Sequence, residues 1–339
     1  MMNTEATLAP SNLHSPRPGV APGVRFFDAH PTPDDLRAEV LAGLSSMPKR
    51  LSPKLLYDER GSQLFDAITE LPEYYPTRTE IGILCDHGEE MADLLGRGRV
   101  LLELGSGSSL KIRILLAALE PEIYIPIDIS REHLRASAES LAEHFPALAI
   151  HATCADYSVP FELPIEGDRE GLAAFFPGSS IGNFEPEEAR ALLGRVAKLI
   201  GVGGRLLVGI DLQKDRATLE RAYDDDRGVT SAFILNVLER LNRELMADFD
   251  LKAFVHRSFY NDALGRIEVH LEALSEQRVQ VAGEQFVLAA GERIHVENSY
   301  KYDIAGFHQL AAGAGFVPER VWTDPHRLFS VHCLRVEAC

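Results

Sequence analysis

The stretch "RVLLELGSGSSLKIRILLAAL", residues 99–119, decides the fold that we expect for this chain. Apolar residues on both sides of Glu103 predict a short buried strand, and Gly105 and Gly107 predict a tight turn at its end. A run with helical spacing follows at once. Glycines between a strand and a helix let the backbone approach a ligand closely. The stretch therefore predicts an α/β fold with a nucleotide-like ligand at this turn.

The alternation of strands and helices continues along the chain and then stops. Further strands are predicted over residues 123–129, 147–156, 173–184 and 204–212, with helices over 130–145 and 185–200. Such alternation predicts a doubly wound, mostly parallel sheet that binds ligands at the carboxyl ends of its strands. The chain after residue 214 changes to helices and antiparallel strands, so a mixed α+β segment is expected to interrupt the sheet. A helix and a hairpin are expected to complete it.

These patterns divide the chain into three parts. Residues 1–23 are rich in Pro, Ser, Ala and Gly and predict a flexible leader. Residues 24–77 and 215–299 are expected to form a substrate-binding domain of mixed α+β structure. Residues 78–214 and 300–339 are expected to form the α/β core that binds the nucleotide-like ligand.

Composition disfavours several classes of partner. The net charge of −17, with no basic block, argues against nucleic acid. A run of about 18 apolar residues, which a membrane span needs, does not occur. The four cysteines form no CxxC pair and the histidines have no ligand spacing, so we expect neither a disulfide framework nor a metal site. Scattered cysteines indicate a reducing, cytoplasmic location, and we expect a monomer.

Acidic residues at three predicted strand ends indicate which ligand the turn holds. Glu103 lies beside the glycine turn, Asp128 ends the second strand, and Asp156, followed by Tyr157, ends the third. An acid at the second position accepts hydrogen bonds from ribose hydroxyls. Asp156 offers an acceptor for an adenine amino group, and Tyr157 offers a ring for stacking. A pyrophosphate is disfavoured beside Glu103, whereas a cationic sulfonium is not, so the set favours S-adenosylmethionine over NAD.

Other interpretations of the turn remain open from these residues alone. The turn lacks the third glycine of GxGxxG, which weakens but does not remove a dinucleotide interpretation. A nicotinamide-dependent oxidoreductase or a catalytically silent dinucleotide-binding module is one alternative. In another, one or two of the acids only cap strand ends.

Six stretches resemble the histidine Nα-methyltransferases of ergothioneine biosynthesis. They are "LSPKLLYDERGSQLFDAITELPEYYPTRTEIGIL" (51–84), "ELGSGSSLKIR", "FFPGSSIGNF", "DLQKDRATLERAYDD", "LNRELMADFDL" and "VENSYKY". The resemblance runs from Leu51 to Leu334. It implies a class I (Rossmann-like) methyltransferase core with an inserted α+β substrate-binding domain. It also implies transfer of three methyl groups from S-adenosylmethionine to the α-amino group of L-histidine, which gives the trimethyl betaine hercynine.

The resemblance also implies two sets of site residues. The methyl-donor site falls on Gly105, Lys111, Asp128, Asp156 and Tyr157, beside Glu103 and Gly107 of the turn. The amino-acid site falls on Tyr57, Tyr74, Gly178, Asn183, Tyr223, Glu297 and Ser299.

Residue types suggest roles within the amino-acid site. Asn183 can donate to a carboxylate and accept from an amine, because its amide has both functions, and Tyr223 adds a second donor. The rings of Tyr57 and Tyr74 suit a quaternary ammonium product. We expect Tyr57 and Asn183 to act in catalysis. Either the Tyr57 hydroxyl or a water molecule could take the proton of the amine.

The choice of amino acid is expected to depend on three residues. Glu297 and Ser299 share a face if their segment is extended, and they would bind the imidazole ring. Without the resemblance, a strand-end ion pair of Glu297 with Lys301 would be the simpler interpretation. Val269 is smaller than the residue often found there in the family. Its size leaves open an Nα-methyltransferase for a larger aromatic amino acid such as tryptophan, whereas Glu297 favours histidine.

Overall fold

The computed structural model describes residues 23–29, 33–108, 110–165 and 171–338. The flexible leader expected over residues 1–23 lies outside this part of the chain, apart from Gly23. Across the described residues, no helix combines the length and the apolar character that a membrane crossing requires.

Over residues 101–211, strands and helices follow one another in the order that the alternating pattern predicts. The strands are β1 Gly23–Ala29, β2 Leu101–Leu104, β3 Ile123–Asp128, β4 Ala149–Ala155, β5 Ala173–Phe176, β6 Arg205–Asp211, β7 Phe254–Asn261, β8 Arg266–Ala273, β9 Gln277–Val281, β10 Glu284–Leu288, β11 Arg293–Tyr300, β12 Phe316–Thr323 and β13 Phe329–Val336. The α-helices are α1 Pro33–Ser45, α2 Glu59–Thr69, α3 Tyr75–Leu95, α4 Leu110–Leu119, α5 Arg131–His144, α6 Pro186–Ile200, α7 Arg216–Arg221, α8 Val229–Glu244 and α9 Ile304–Ala312.

The main sheet has eight strands in the order β1-β4-β3-β2-β5-β6-β13-β12. Its strands pair in parallel from β1 to β6, and β13 pairs antiparallel with both β6 and β12. Side chains of α3, α4 and α5 share one buried cluster with the sheet, and those of α6 and α9 share another. Alternate strand residues contribute to the two clusters, so helices cover both faces. The expected class I, doubly wound core with a terminal hairpin is confirmed.

The strand order reverses between β2 and β5, which are neighbours at the centre of the sheet. Each of these strands is buried along its whole length, as apolar central strands of a parallel sheet are. A crevice forms outside the carboxyl ends of strands at such a reversal. The turn after β2 and the turn after β5 therefore meet at one site.

A second lobe, which we call the insertion lobe, contains α1, α2, α7, α8 and β7 to β11. Strands β11, β8 and β7 form an antiparallel sheet, and β10 pairs with β9. Strand β8 alternates between buried and half-buried residues, so its apolar side chains face the helices. Val40 of α1 and Leu238 of α8 belong to the same buried cluster as Val269 of β8.

The structure corrects one boundary of the expected substrate-binding domain, which was drawn to begin at residue 24. Strand β1 instead pairs in parallel with β4, from Gly23 opposite Ala149 to Ala29 opposite Ala155. The edge of β4 would otherwise present unpaired backbone groups, and β1 satisfies them. The first seven described residues thus belong to the main sheet.

A second correction concerns the strand expected over residues 173–184. It ends at Phe176, because Gly178 and Ser179 have φ values of +76° and +60°, which no strand can contain. A 3-10 turn, Ser180–Asn183, follows. This sharp turn brings Asn183 back toward the insertion lobe.

Candidate active site

Two adjoining cavities lie between the main sheet and the insertion lobe. An outer cleft of about 650 Å³ includes Lys54, Asp156 and Tyr157 in its lining. An inner chamber is lined mainly by aromatic and polar side chains. Tyr57, Asn183 and Glu297 line both cavities. The residues predicted for the amino-acid site all line the inner chamber: Tyr57, Tyr74, Gly178, Asn183, Tyr223, Val269, Glu297 and Ser299.

The glycine turn after β2 holds the ends of three strands together. Gly105 and Gly107 have φ values of +70° and +47°, which glycine adopts without steric cost. The Gly107 N–H donates to Asp128 Oδ2 across 3.1 Å, and the Ser130 N–H donates to Oδ1 across 2.9 Å. A Cβ at Gly105 would lie 3.7 Å from the ring of Tyr157. The structure thus groups four of the residues predicted for the methyl donor.

This turn fits an adenosyl ligand that carries hydroxyls and a positive charge. The Ser106 hydroxyl is buried and has no hydrogen-bond partner among the described residues. A Cβ at Gly107 would meet none of their atoms within 4 Å, so there is space beside the turn. Burial raises the pKa of Asp128, and hydroxyl donors or a nearby cation would favour its carboxylate form.

Asp156 is tied to the insertion lobe by Lys54, which sequence reasoning missed. Lys54 Nζ lies 3.1 Å from Asp156 Oδ2 and 2.7 Å from Glu39 Oε2, and the Ser158 N–H donates to Asp156 Oδ1 across 2.8 Å. Burial acts to raise the pKa of Asp156, but the bond from Ser158 and the Lys54 ammonium hold it below its usual value. Asp156 is therefore a carboxylate at neutral pH.

The surroundings of Glu103 differ from those that the sequence led us to expect. Its side chain is buried and accepts a hydrogen bond from the Tyr124 hydroxyl. Like Gly105, Gly107, Lys111 and Asp128, it is not among the described residues that line either cavity. Burial raises its pKa to about 8, so at neutral pH the carboxyl is mostly protonated. The negative charge that we expected beside the ligand is largely absent in this form.

Lys111 lies near Gly178 and is held by Glu80. Its Nζ is 2.6 Å from Glu80 Oε2, and the Gly178 N–H donates to that same oxygen across 2.9 Å. A Cβ at Gly178 would lie 3.4 Å from Lys111 Nζ. A Cβ at Gly209 would come within 2.1 Å of Glu80 Oε1, so this glycine makes room for the carboxylate. Glu80 belongs to "YYPTRTE", but nothing in its spacing pointed to this contact.

Aromatic rings form the walls of the inner chamber. The ring of Tyr57 meets Phe65 edge-on at 5.7 Å and Phe233 at 5.5 Å between centroids. The ring of Tyr74 meets Tyr223 at 6.3 Å. Such edge-to-face contacts fix the rings in place. Phe65 and Phe233 line the chamber and were not predicted, because buried phenylalanines carry no signal beyond core packing.

Polar groups of the chamber pair across the two lobes. Asn183 Nδ2 donates to Glu297 Oε1 across 3.0 Å, and burial raises the pKa of Glu297 to about 7. The Tyr223 hydroxyl and Ser299 Oγ are 2.7 Å apart. The carboxylate partner of Lys301 is Asp211, at 2.7 Å, so the strand-end ion pair with Glu297 is not what forms.

The sequence of this chain is similar to those of known methyltransferases. A sequence profile of the family described as "Histidine-specific methyltransferase, SAM-dependent" matches residues 36–336. A histidine N-alpha-methyltransferase of Mycolicibacterium smegmatis is 42% identical over 307 residues, which cover 88% of this chain and 94% of that protein.

Two further proteins show how far the similarity extends. The ergothioneine biosynthesis protein 1 of Neurospora crassa is 32% identical over 289 residues, which cover 81% of this chain and 32% of that protein. The solved structure of an S-adenosylmethionine-dependent methyltransferase from Clostridium acetobutylicum has a TM-score of 0.46 and 10% identity, and the match covers 82% of this chain and 96% of that one. The profile match and the 42% identity show that the chain belongs to the family of S-adenosylmethionine-dependent, histidine-specific methyltransferases.

Proposed function

We propose that this chain methylates the α-amino group of L-histidine three times and releases the trimethyl betaine hercynine, the first step towards ergothioneine. The observation that carries the proposal is the inner chamber, where Asn183, Glu297 and the hydroxyls of Tyr223 and Ser299 meet within aromatic walls. Membership of the methyltransferase family removes the alternative of a nicotinamide-dependent oxidoreductase.

The glycine turn and its neighbours would hold S-adenosylmethionine. Asp128 would accept from its ribose hydroxyls and Asp156 from its adenine amino group, while the Tyr157 ring would stack on the base. Gly105 and Gly107 would allow the backbone to approach it, and Lys111 lies near Gly178, which lines the chamber. When bound, S-adenosylmethionine supplies an electrophilic methyl group on a sulfonium.

The chamber residues would bind histidine by its three polar groups. The Glu297 carboxylate would accept from the imidazole N–H. An amino acid without a ring N–H would leave this buried carboxylate with the Asn183 amide as its donor and no second one from the substrate. The Asn183 amide presents a donor for the carboxylate and an acceptor for the amine. The Tyr223 and Ser299 hydroxyls supply a further donor.

Aromatic walls serve the later rounds of methylation. Each transfer adds bulk to the nitrogen, and the third leaves a permanent positive charge on it. The rings of Tyr57 and Tyr74 offer faces that attract a quaternary ammonium. The same rings exclude water, which keeps the amine desolvated and aligned for attack.

The amine must present a free lone pair to the methyl group, so its proton has to leave. Burial raises the pKa of Tyr57 well above its usual value, so this side chain stays a phenol at neutral pH. A phenol can orient the amine by a hydrogen bond but is a poor proton acceptor. We therefore assign the proton to a water molecule at the open side of the chamber, in the outer cleft. A pH–rate profile of Tyr57→Phe that keeps the wild-type shape is the expected result.

A second candidate acceptor is a larger aromatic amino acid such as tryptophan. The observation that favours it is Val269, which lies opposite Glu297 on the neighbouring strand and lines the chamber. A valine there leaves more room beside the ring than a longer side chain would.

We further propose that the enzyme works as a monomer on a free amino acid in the cytoplasm. The charge of −17 disfavours a nucleic acid partner.

Calorimetric titration in the presence of S-adenosylhomocysteine tests the choice of acceptor. This donor product occupies the methyl-donor site without reacting. We expect L-histidine to bind at least tenfold more tightly than L-tryptophan and L-tyrosine. Tighter binding of L-tryptophan would favour the second candidate, and no binding of any of the three would contradict the proposal.

A further inference from the structure

A buried ion pair lies directly behind the inner chamber. The side chain of Lys301 is fully buried, and that of Asp211 is 1% exposed. Lys301 Nζ lies 2.7 Å from Asp211 Oδ2, 2.9 Å from the Tyr223 hydroxyl and 2.8 Å from Ser299 Oγ. Tyr223 and Ser299 line the chamber, whereas Lys301 is not among the described residues that do.

The protons of this cluster can be counted. A lysine ammonium has three donors and no acceptor, and these three contacts use all of them. Each hydroxyl has one proton, and one of the two protons joins Tyr223 to Ser299 across 2.7 Å. One hydroxyl proton is left. Because the ammonium already donates to both oxygens, this proton cannot point toward Lys301.

We propose that Lys301 is a positioning residue that directs the one remaining hydroxyl proton of the Tyr223–Ser299 pair into the chamber. The pair then presents a single donor to an acceptor group of the bound amino acid, and either hydroxyl can supply it. The inference rests on the proposed function for the identity of that amino acid. It also differs from our expectation that Tyr223 donates to the substrate carboxylate while Ser299 separately binds the imidazole ring, because their mutual bond leaves one proton for both.

Other groups around Asp211 hold the ammonium in place. The Tyr75 hydroxyl lies 2.8 and 2.9 Å from the two carboxylate oxygens, and Lys214 forms a second ion pair with Oδ1. The Asp211 N–H donates to Ser179 Oγ across 2.9 Å. Burial acts to raise the pKa of Asp211, but the ammonium groups of Lys301 and Lys214 hold it below its usual value. The carboxylate that anchors Lys301 is thus itself fixed on several sides.

A double-mutant cycle of Tyr223→Phe and Ser299→Ala tests the inference. In either single variant the remaining hydroxyl still accepts from Lys301, and its proton becomes the one directed into the chamber. We expect each single variant to lose less than about tenfold in kcat/KM, since a donor to the substrate survives. The double variant is expected to lose at least tenfold more than the product of the two single losses, because a hydrogen bond to a charged acceptor is worth roughly 10- to 100-fold. Losses that simply multiply would overturn the inference.

Lys301→Met provides an independent test that keeps both hydroxyls. The remaining proton can then turn into the vacated space, so we expect KM for the amino acid to rise by about 10- to 100-fold. Affinity for S-adenosylmethionine, measured by calorimetry, is expected to stay within about twofold of wild type. Lys49→Met is the matched control, since Lys49 is 9% exposed, pairs with Glu292 and lies outside the lining of both cavities. A wild-type KM in Lys301→Met, or an equal rise in Lys49→Met, would overturn the inference.

Failure of the proposed function would look different. It would show as absence of methylated histidine with the wild-type enzyme, before any variant is made. The cycle is then run with whichever amino acid the wild type methylates.

Discussion

The side-chain amide of Asn183 donates to the carboxylate of Glu297 across 3.0 Å, although the two residues belong to different lobes. Asn183 ends the 3-10 turn that follows β5 of the main sheet, and Glu297 lies in β11 of the insertion lobe. Both residues line the outer cleft and the inner chamber, so the bond lies where these two cavities meet. Contact between the lobes is therefore what completes the site.

Replacing Asn183 by alanine should reduce activity without unfolding the protein. Glu297 loses its amide donor and the substrate loses a group that both donates and accepts, so we expect kcat/KM for L-histidine to fall by about 10- to 100-fold. Asn242→Ala is the control, because among the described residues the Asn242 side chain forms its hydrogen bonds with Phe249, within the insertion lobe. It should lower stability by about 1 kcal/mol and leave KM unchanged. A normal kcat/KM for Asn183→Ala would count against the assigned site.

Glu297→Gln should flatten the dependence of histidine binding on pH. Burial raises the pKa of Glu297 to about 7, and the carboxylate is the form that accepts from the ring N–H. In the wild type, KM for L-histidine should therefore fall as pH rises through about 7. The ratio of the two enzymes' KM values, measured from pH 6 to 8.5, cancels the titration of histidine itself. A constant ratio would exclude Glu297 as the group responsible.

The titration of Glu297 should also lower the stability of the folded protein as pH rises, whereas it should improve the binding of histidine. Between the ordinary value of 4.5 and about 7, the folded protein keeps a proton on Glu297 that the unfolded chain has lost. Stability from this group therefore falls as pH rises across that window and is level above it. Urea unfolding of wild type and Glu297→Gln should diverge with pH by roughly 3 kcal/mol at most. Parallel pH profiles of the two proteins would show that Glu297 titrates normally.

Glu80→Gln should weaken the donor site and the fold together. The glutamine oxygen can still accept a hydrogen bond from the Gly178 N–H, but Lys111 loses the negative charge that lies 2.6 Å from its Nζ. Breaking a buried ion pair costs about 3 to 5 kcal/mol. We expect a cost near the lower value, because the Lys111 side chain is 17% exposed. We expect that loss in urea unfolding, with weaker S-adenosylmethionine binding by calorimetry. Glu187→Gln, which breaks an exposed pair with Arg190, should cost less than about 1 kcal/mol; an equal cost would refute the role of Glu80.

Val269 should set the ratio of tryptophan to histidine activity. Its side chain is fully buried and faces the chamber opposite Glu297. Val269→Ala enlarges the space beside the ring and should raise the ratio of kcat/KM values for the two amino acids, whereas Val269→Met should lower it. Overpacking by the methionine is expected to cost about 1–3 kcal/mol. Competition between the two amino acids in one reaction measures the ratio directly, and equal ratios in both variants would remove Val269 as a determinant.

Much of the fold could be predicted because it depends on local patterns. Apolar runs, glycine turns and helical spacing identified the parallel strands from β2 to β6 and the final hairpin. Strand β1 was missed because its pairing with β4 joins residues more than a hundred positions apart. The end of β5 was missed because Ser179 adopts φ +60°, a conformation that a non-glycine residue rarely shows.

The substrate side of the site was predictable only through resemblance to a family. Tyrosines, an asparagine and a glutamate at scattered positions carry no spacing signal, yet the structure gathers all of them in one chamber. Neither residue spacing nor the family resemblance predicted the groups that hold these side chains. Glu80 lies on α3 and Lys111 on α4. Asp211 is the last residue of β6, and Lys301 follows the end of β11. Only the folded chain brings these charges into contact.

Mass spectrometry of the reaction products tests the central claim most directly. The purified chain is incubated with excess S-adenosylmethionine and equal amounts of L-histidine, L-tryptophan and L-tyrosine, and the methyl masses added to each amino acid are counted. We predict that three methyl groups accumulate on the α-nitrogen of histidine, while the other two amino acids remain largely unmodified. Absence of methylated histidine, with or without transfer to another amino acid, would contradict it.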